Sequence, residues 1–303
     1  MTTGGKYRAL HPGFSCAANS LRRSARTDHA TKCPSIQEWF NLGGNESDGG
    51  LECGRGSGSG GREVVRLLTA GVALSIGLAI GAPRCVGADV WGGSLGVTSD
   101  YIVRGISRSN DRAALQLDLH YFNASGFVAG LFASSTQIDP EMGRDVELDA
   151  FLGFAWTSGN DWRAKILASH YAYPWNQDGS GYNYDEFDAD VAFQEWLDVG
   201  LVYSPNAPRY VPHRGLIAVT SHSAEVNLQR PVLGRLSATA GIGYSHFDGP
   251  NAAGFGYWSV GAAYTFAPVS LALSYVNTTA AAKALFYNAA ADRRWTGTVI
   301  WRF

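Results

Sequence analysis

Beyond Cys85 the chain contains no cysteine: Cys16, Cys33, Cys53 and Cys85 all precede residue 89. The long remainder therefore forms no disulfide and offers no thiol to an oxidising compartment. An apolar helix long enough to cross a membrane is also missing from the reading. The uncharged run Leu67 to Ala82 is rich in Gly and Ala and falls short of the roughly 20 residues that a span needs. Phosphate-binding and dinucleotide-binding glycine motifs are absent. The histidines of the body, His120, His170, His213, His222 and His246, lack metal-ligand spacing. These absences leave nothing that implies a cofactor or a metal.

Charge divides the chain near residue 89. Lys and Arg number 10 against 6 Asp and Glu up to Ala88, and 14 against 20 beyond it. An acidic body argues against nucleic acid as a partner. The basic front carries Arg62 and Arg66 before the uncharged run, and Val86, Gly87 and Ala88 supply the small residues that a signal peptidase reads. Residues 62–88 thus read as a signal peptide cleaved after Ala88, with a helical membrane anchor as the rival reading. Residues 1–61 show no apolar period and end in a Gly/Ser tract, Gly54 to Gly61. They are expected to be either a disordered extension or a mis-annotated start, with translation beginning near Val64 or Val65.

What fills the body, 89–303, is period-2 alternation. Leu115, Leu117, Leu119 and Tyr121 oppose Gln116, Asp118 and His120; Val146, Leu148, Ala150, Leu152, Phe154 and Trp156 oppose Asp145, Glu147, Asp149 and Thr157. Near the end, Trp295, Val299, Trp301 and Phe303 oppose Thr296, Thr298 and Arg302. Apolar residues set against carboxylates in strand after strand suit a sheet with lipid on one face and a polar lumen on the other. Such a sheet must close on itself, because lipid satisfies no backbone group. The predicted fold is all-β, an antiparallel up-and-down transmembrane barrel of about twelve strands. Breaks at Gly, Pro, Asn and Asp place the strands at 93–107, 112–122, 126–137, 145–157, 161–173, 184–194, 197–204, 214–230, 235–247, 254–267, 269–277 and 293–303.

The connections support that count. Those at one end, Asn123 to Gly126, Ser158 to Asp161, Glu195-Trp196, Pro231 to Gly234 and Ala267-Pro268, are short. Those at the other end, Ile138 to Arg144, Pro174 to Asn183, Pro205 to His213, Asp248 to Ala253 and Thr278 to Asp292, are longer. Only the first outer turn, near Ser109 to Asp111, departs from this. Short turns face the periplasm in bacterial barrels. The alternation in 214–230 changes phase near Ser221, which suggests a bulge or a misplaced boundary. Trp156, Trp162, Trp196, Trp301 and Phe303, with Phe266, sit beside short turns or the C-terminus and are expected to form an interfacial girdle; ordinary packing is the alternative.

Several motifs occur in an order met elsewhere. They are Ser99-Asp-Tyr-Ile-Val-Arg-Gly-Ile-Ser107, Ala114-Leu-Gln116, Ser125-Gly-Phe-Val-Ala-Gly130, Glu147-Leu-Asp149, Tyr171-Ala-Tyr-Pro174, Tyr184-Asp-Glu186 and Tyr203-Ser-Pro205. Together they make Gly93 to Phe303 resemble the TorF-type family of proteobacterial outer-membrane porins. The resemblance implies an outer-membrane barrel with a channel role and no catalytic residues. Thr296 to Phe303 also resembles the C-terminal signal read by the outer-membrane barrel-assembly machinery, though Gly297 stands one place early.

Lumen chemistry decides what passes. Barrels of about 8 strands are filled by their own side chains and those of about 16 or more hold a wide channel, so about twelve allows a narrow pore. Alternation assigns Asp118, Glu147, Asp149, Glu186, Asp188 and Asp190 to the lumen, with Arg104, Arg163, Lys165 and Arg302 from other strands. Opposed acidic and basic walls would orient small polar solutes by a transverse field. Alternatively the same charges pair and plug the barrel. Asp100 and Arg104, four apart, are expected to pair on one strand face.

Expected function is therefore passive diffusion of small polar or charged solutes across the bacterial outer membrane, with outer-membrane lipids and the assembly machinery as partners. A closed structural or surface-interaction barrel and a lipid-active enzyme are the alternatives. Candidate nucleophiles give the enzyme little support. Ser169 and His170, His222 and Ser223, and Ser245 and His246 are adjacent pairs whose side chains point to opposite faces. Calcium at Asp139, Glu141 and Asp145 competes with a plain solvated acidic loop.

Overall fold

The computed structural model describes residues 89–138, 143–159, 161–176, 179–194, 196–211, 213–249, 252–286 and 290–303. The extension 1–61, the expected signal peptide 62–88, all four cysteines, Asp139 and Glu141 lie outside the described residues.

Twelve strands close into one antiparallel transmembrane barrel. They are β1 (Val90–Thr98), β4 (Ala114–Phe122), β5 (Phe127–Thr136), β6 (Asp145–Ser158), β7 (Trp162–Ala172), β8 (Tyr184–Phe193), β9 (Leu197–Val211), β10 (Gly215–Leu233), β11 (Leu236–Phe247), β12 (Ala253–Phe266), β13 (Val269–Thr278) and β14 (Arg294–Arg302). Each pairs with its neighbour in sequence. The ring closes where β1 meets both β14, Ser94 opposite Arg302, and β4, Ser94 opposite Asp118. The tiny β2 (Ile102–Val103) and β3 (Ile106–Ser107) stand apart as a two-stranded sheet, and a short helix α1 (Ala280–Leu285) follows β13. No helix among the described residues is long and apolar enough to cross a membrane.

Alternation explains the wall. On β6 the buried residues Asp145, Glu147, Asp149, Phe151, Gly153 and Ala155 face inward, while Leu148, Leu152, Phe154 and Trp156 face outward. Leu115 is 61% exposed, Leu201 58% and Ile242 64%, a degree of exposure that aqueous solvent would penalise and hydrocarbon rewards. Leu152→Arg, in the middle of this band, is expected to cost about 2–4 kcal/mol, read as a lower urea midpoint in lipid vesicles. An equal midpoint would place that face against something other than lipid.

Three features differ from the sequence reading. The first strand ends at Thr98 rather than 107, because the chain turns into the barrel there. Arg104 (φ 49°) and Gly105 (φ 79°) are both left-handed, the requirement of a two-residue type I′ turn, and they join β2 to β3. The first outer connection is therefore the long inward hairpin from Ser99 to Ala113, which removes the exception among the turns.

The second difference is β9, which runs to Val211, so the supposed loop at Pro205 to His213 is largely strand. Prolines tolerate edge strands and bulges. Pro205 lies beside a register shift between Val219 and Ser221, close to the phase change in the sequence, and Pro208 lies where the strand pairs with β10 alone. Above Ser204 the β9–β10 ribbon thus extends past the ring. Third, the connection between β13 and β14 contains α1, whose Lys283 bonds to Asp292.

Two apolar clusters lie inside the ring. Near the long-loop end, Ile106 of the inward hairpin packs with Phe255 and Tyr257 of β12, Ala282 of α1 and Ala291. Toward the short-turn end, Val128, Phe151 and Leu167 pack against Phe122. Gly105 seats the hairpin tip. A Cβ there would stand 2.7 Å from Tyr257 Cβ and 2.8 Å from Thr278 Cγ2. Gly105→Ala, combining this clash with the left-handed φ, is expected to cost more than about 1 kcal/mol and to expose the hairpin to protease added on the long-loop side. Unchanged protection would mean that the tip is not seated on the wall.

Candidate functional site

The lumen carries its charge on one arc. From β4 to β10 the inward positions hold Asp118, then Glu147 and Asp149, then Glu186, Asp188 and Asp190, followed by Asp198 and Glu225. The last two were missed in the sequence, since each is the single acid of its strand. Gly200 lies cross-strand between Asp190 and Glu225. A Cβ there would come within 2.8 Å of Asp190 Oδ1 and 3.4 Å of Glu225 Cγ, so glycine leaves room for both carboxylates. Glu225 accepts from Asn227 Nδ2 at 3.0 Å and from the Tyr257 hydroxyl at 3.0 Å.

The facing arc carries charge only at the two ends of β14, Arg294 and Arg302. Over β11 to β14 the inward positions hold small residues such as Thr239, Gly241, Ser259, Gly261, Ser274 and Thr296. The expected basic wall is not there. Lys165 lies on β7, between the acidic strands, with Nζ 3.5 Å from Asp190 Oδ2. Arg163 shares its strand face nearer the short turns, opposite Thr157, and Arg302 donates to Ser270 Oγ at 2.5 Å at the same end. Lys165 and Arg163 thus sit within the acidic arc, and across from it cations stand only at the two ends of β14.

The inward hairpin spans the mouth. Its tip rests against Tyr257 and Thr278 on one side, and Arg104 reaches β8 on the other, donating from both Nη atoms to the two oxygens of Glu186 at 2.7 Å. Arg108 donates to Glu147 Oε2 at 3.0 Å, to the Tyr184 hydroxyl at 2.9 Å and to the Tyr173 hydroxyl. Glu147, fully buried, also accepts from the Tyr101 hydroxyl at 2.5 Å and from Tyr173.

Asp100 does not pair with Arg104, which the type I′ turn carries away from it. It accepts from Ser107 Oγ at 2.6 Å, from Ser109 Oγ at 2.8 Å and from Arg294 of β14 at 2.6 Å. Arg294 also bonds Asp111. Burial pushes the Asp111 carboxyl up from its ordinary value against the pull of Arg294, and Asp100 adds to the push. The hairpin is therefore stapled by charge to β6, β8 and β14, three separate parts of the ring.

Between the hairpin and the β8–β12 wall lies a cavity of about 350 Å³, which α1 and the extended β9–β10 ribbon also line. Apolar side chains dominate it, among them Ile106, Leu216, Phe247, Phe255 and Phe286, with Arg104, Arg108, Arg209 and Glu186 as its charged groups.

Serine and histidine candidates separate by face. Ser223 and Ser245 bond each other inside at 2.8 Å, while their neighbours His222 and His246 lie outside around Asp248, at 2.9 and 3.4 Å. His170 likewise meets Asp185 at 2.7 Å, and buried His120 meets Asp118 at 2.6 Å. Among the described residues no serine hydroxyl bonds an imidazole, and no group of three or more His, Cys, Asp or Glu is placed to hold a metal. Asp145, from the supposed calcium loop, is buried and accepts from the backbone N–H of Val146 and of Trp175.

Aromatics ring the outer face at both ends. Near the short turns Trp162 meets Phe193 at 4.7 Å with the rings tilted, Phe193 meets Trp196 at 6.0 Å, and Trp301 meets Phe303 at 5.1 Å; Trp156 is exposed on the same side. Arg230 lies 4.2 Å above the Trp196 ring. Near the long loops a second set contains Phe187 with Tyr203 and the run Trp258, Tyr275, Trp295.

A model of a bacterial family of proteins of unknown function, Gcw_chp, matches residues 87–302. The chain belongs to this family. No curated protein matches it in sequence. Among solved structures, the KdgM porin is similar at 12% identity, covering 70% of this chain and 99% of its own, with a TM-score of 0.43. The NanC porin is similar at 9% identity, covering 70% and 99%, with a TM-score of 0.45. An outer membrane channel from Pseudomonas putida F1 is similar at 14% identity, covering 73% and 97%, with a TM-score of 0.44. In this Gcw_chp member a closed twelve-stranded wall meets a mouth crossed by the hairpin that follows its first strand.

Proposed function

We propose that this Gcw_chp protein is a channel of the bacterial outer membrane that passes small polar solutes and prefers cations. The observation that carries the reading is the asymmetry of the lumen: an acidic arc from β4 to β10 whose carboxylates outnumber the cations among them, facing an arc that is mostly small and neutral between Arg294 and Arg302 at the two ends of β14. Small residues on one arc leave space beside the acids for hydrated solute, and a surplus of fixed negative charge in a low-dielectric wall concentrates cations. Resemblance of Gly93 to Phe303 to TorF-type porins supports the same location and role, as does a terminal strand ending in Phe303, the aromatic end expected by the outer-membrane assembly machinery. The acidic and basic lumen residues act as pore lining in this reading, and the aromatic sets act as girdles at the lipid headgroups.

Single-channel recording of the membrane-extracted protein in planar bilayers under a KCl gradient tests it. Discrete steps with a reversal potential on the cation side are expected, and Asp188→Asn with Asp190→Asn should move that potential toward zero. Anion preference would overturn the selectivity. Silence from folded barrels would favour the second reading, a closed barrel, which the three-sided stapling of the hairpin supports.

A further inference from the structure

We infer that the cavity at the barrel mouth is a binding site for a small amphipathic monocarboxylate, an apolar body bearing one anionic end. At about 350 Å³ it lies within the range of small-molecule sites, about 300–1,000 Å³, and like them it joins an apolar lining to a few convergent polar groups. Phe247, Phe255 and Phe286 form its aromatic side, with the rings of Phe247 and Phe255 stacked at 6.4 Å and that of Phe286 edge-on to Phe255 at 5.4 Å. A flat or extended hydrocarbon body fits such a surface.

Charge sets the other end of the ligand. Three guanidinium groups, Arg104, Arg108 and Arg209, line the cavity, with Glu186 paired to Arg104 and the buried Glu147 to Arg108. Arg104 commits one N–H from each Nη to Glu186, and a guanidinium has five. Arg108 spends three donors, on Glu147, Tyr173 and Tyr184, and both arginines keep 19% of their side-chain surface exposed where they line the cavity. A carboxylate is the group that takes paired N–H donors from arginine in the plane of the fork. A cation would meet guanidinium donors and no carboxylate free of an arginine partner, and a neutral polar end would forgo the charge-assisted bonds.

The site is also a terminus. Below the hairpin the carboxylates of Asp149, Asp188 and Asp190 repel an anion, so the cavity holds the ligand rather than hands it inward. The inference rests on the channel reading only for what a bound ligand does to current.

Calorimetry of the full-length protein in lipid nanodiscs, with empty nanodiscs subtracted, reads binding without current. 3-Phenylpropanoate is expected to bind saturably at one site, 3-phenylpropanol about tenfold more weakly, and 3-phenylpropylamine not at all. Leu216→Trp, which fills the cavity from β10, should abolish binding of acid and alcohol alike, and Arg209→Gln should narrow the gap between them. No saturable heat with the acid, or equal affinity for acid and amine, overturns the inference; so does binding that Leu216→Trp leaves intact. In planar bilayers the acid added on the long-loop side should reduce the current. Current without binding would remove the site and leave the channel. Binding to a silent barrel would do the reverse.

Discussion

Excising Tyr101 to Arg108 and joining Asp100 to Ser109 through two glycines is expected to raise single-channel conductance several-fold and to strengthen the preference for cations. The hairpin bridges the mouth from Tyr257 and Thr278 to Glu186, so its removal widens the mouth. It also removes Arg104 and Arg108, leaving Glu186 and Glu147 uncompensated toward the lumen. Fixed charge and cross-section then change in the same direction for a cation. The barrel wall loses no strand pairing, because β2 and β3 pair only with each other. Folding is checked by the shift in gel mobility on heating. A folded barrel with unchanged conductance would mean that the hairpin does not limit flow.

Glu147→Ala is expected to lower stability by about 3–5 kcal/mol, measured as the urea midpoint in lipid vesicles by tryptophan fluorescence. Its carboxylate has no exposure and accepts from Arg108, Tyr101 and Tyr173, so truncation strands a guanidinium and two hydroxyls in a place where water replaces little of the loss. Glu147→Gln should cost less, since an amide oxygen still accepts from the tyrosines. Pairing Glu147→Leu with Arg108→Met removes both charges and should recover a large part of the loss, because the penalty arises from the partner left behind. A loss for Glu147→Ala below about 1 kcal/mol would show that this staple is solvated and replaceable.

Both effects arise from a segment whose local signals are ambiguous. Ser99 to Ser107 alternates well enough to continue a strand, and its two left-handed residues are visible only as the pair Arg104-Gly105, a weaker turn signal than Asn-Gly. What bends it inward is the set of partners waiting in the lumen: Glu147 and Glu186, each more than 38 positions away in sequence, and Arg294 near the other end of the chain. The same limit hid Asp198 and Glu225. Each is a single acid on its own strand and joins the acidic arc only when β8, β9 and β10 lie side by side.

The wall was different. Most strand positions, the even count, the end that carries the long connections and the face that each residue of β6 presents follow from a period of 2, because lipid demands apolar side chains on every second residue and forbids an open edge, while the ends of β1 and β9 do not. Even the irregularity near Ser221 left its mark as a change of phase. The sequence by itself therefore determined the barrel and which residues turn inward. Which inward residues meet came from closure and register, which set Lys165, Arg104 and Arg108 among the acids, drew the hairpin after β1 across the mouth and enclosed a cavity beside it, since contacts between distant strands leave no periodic trace along the chain.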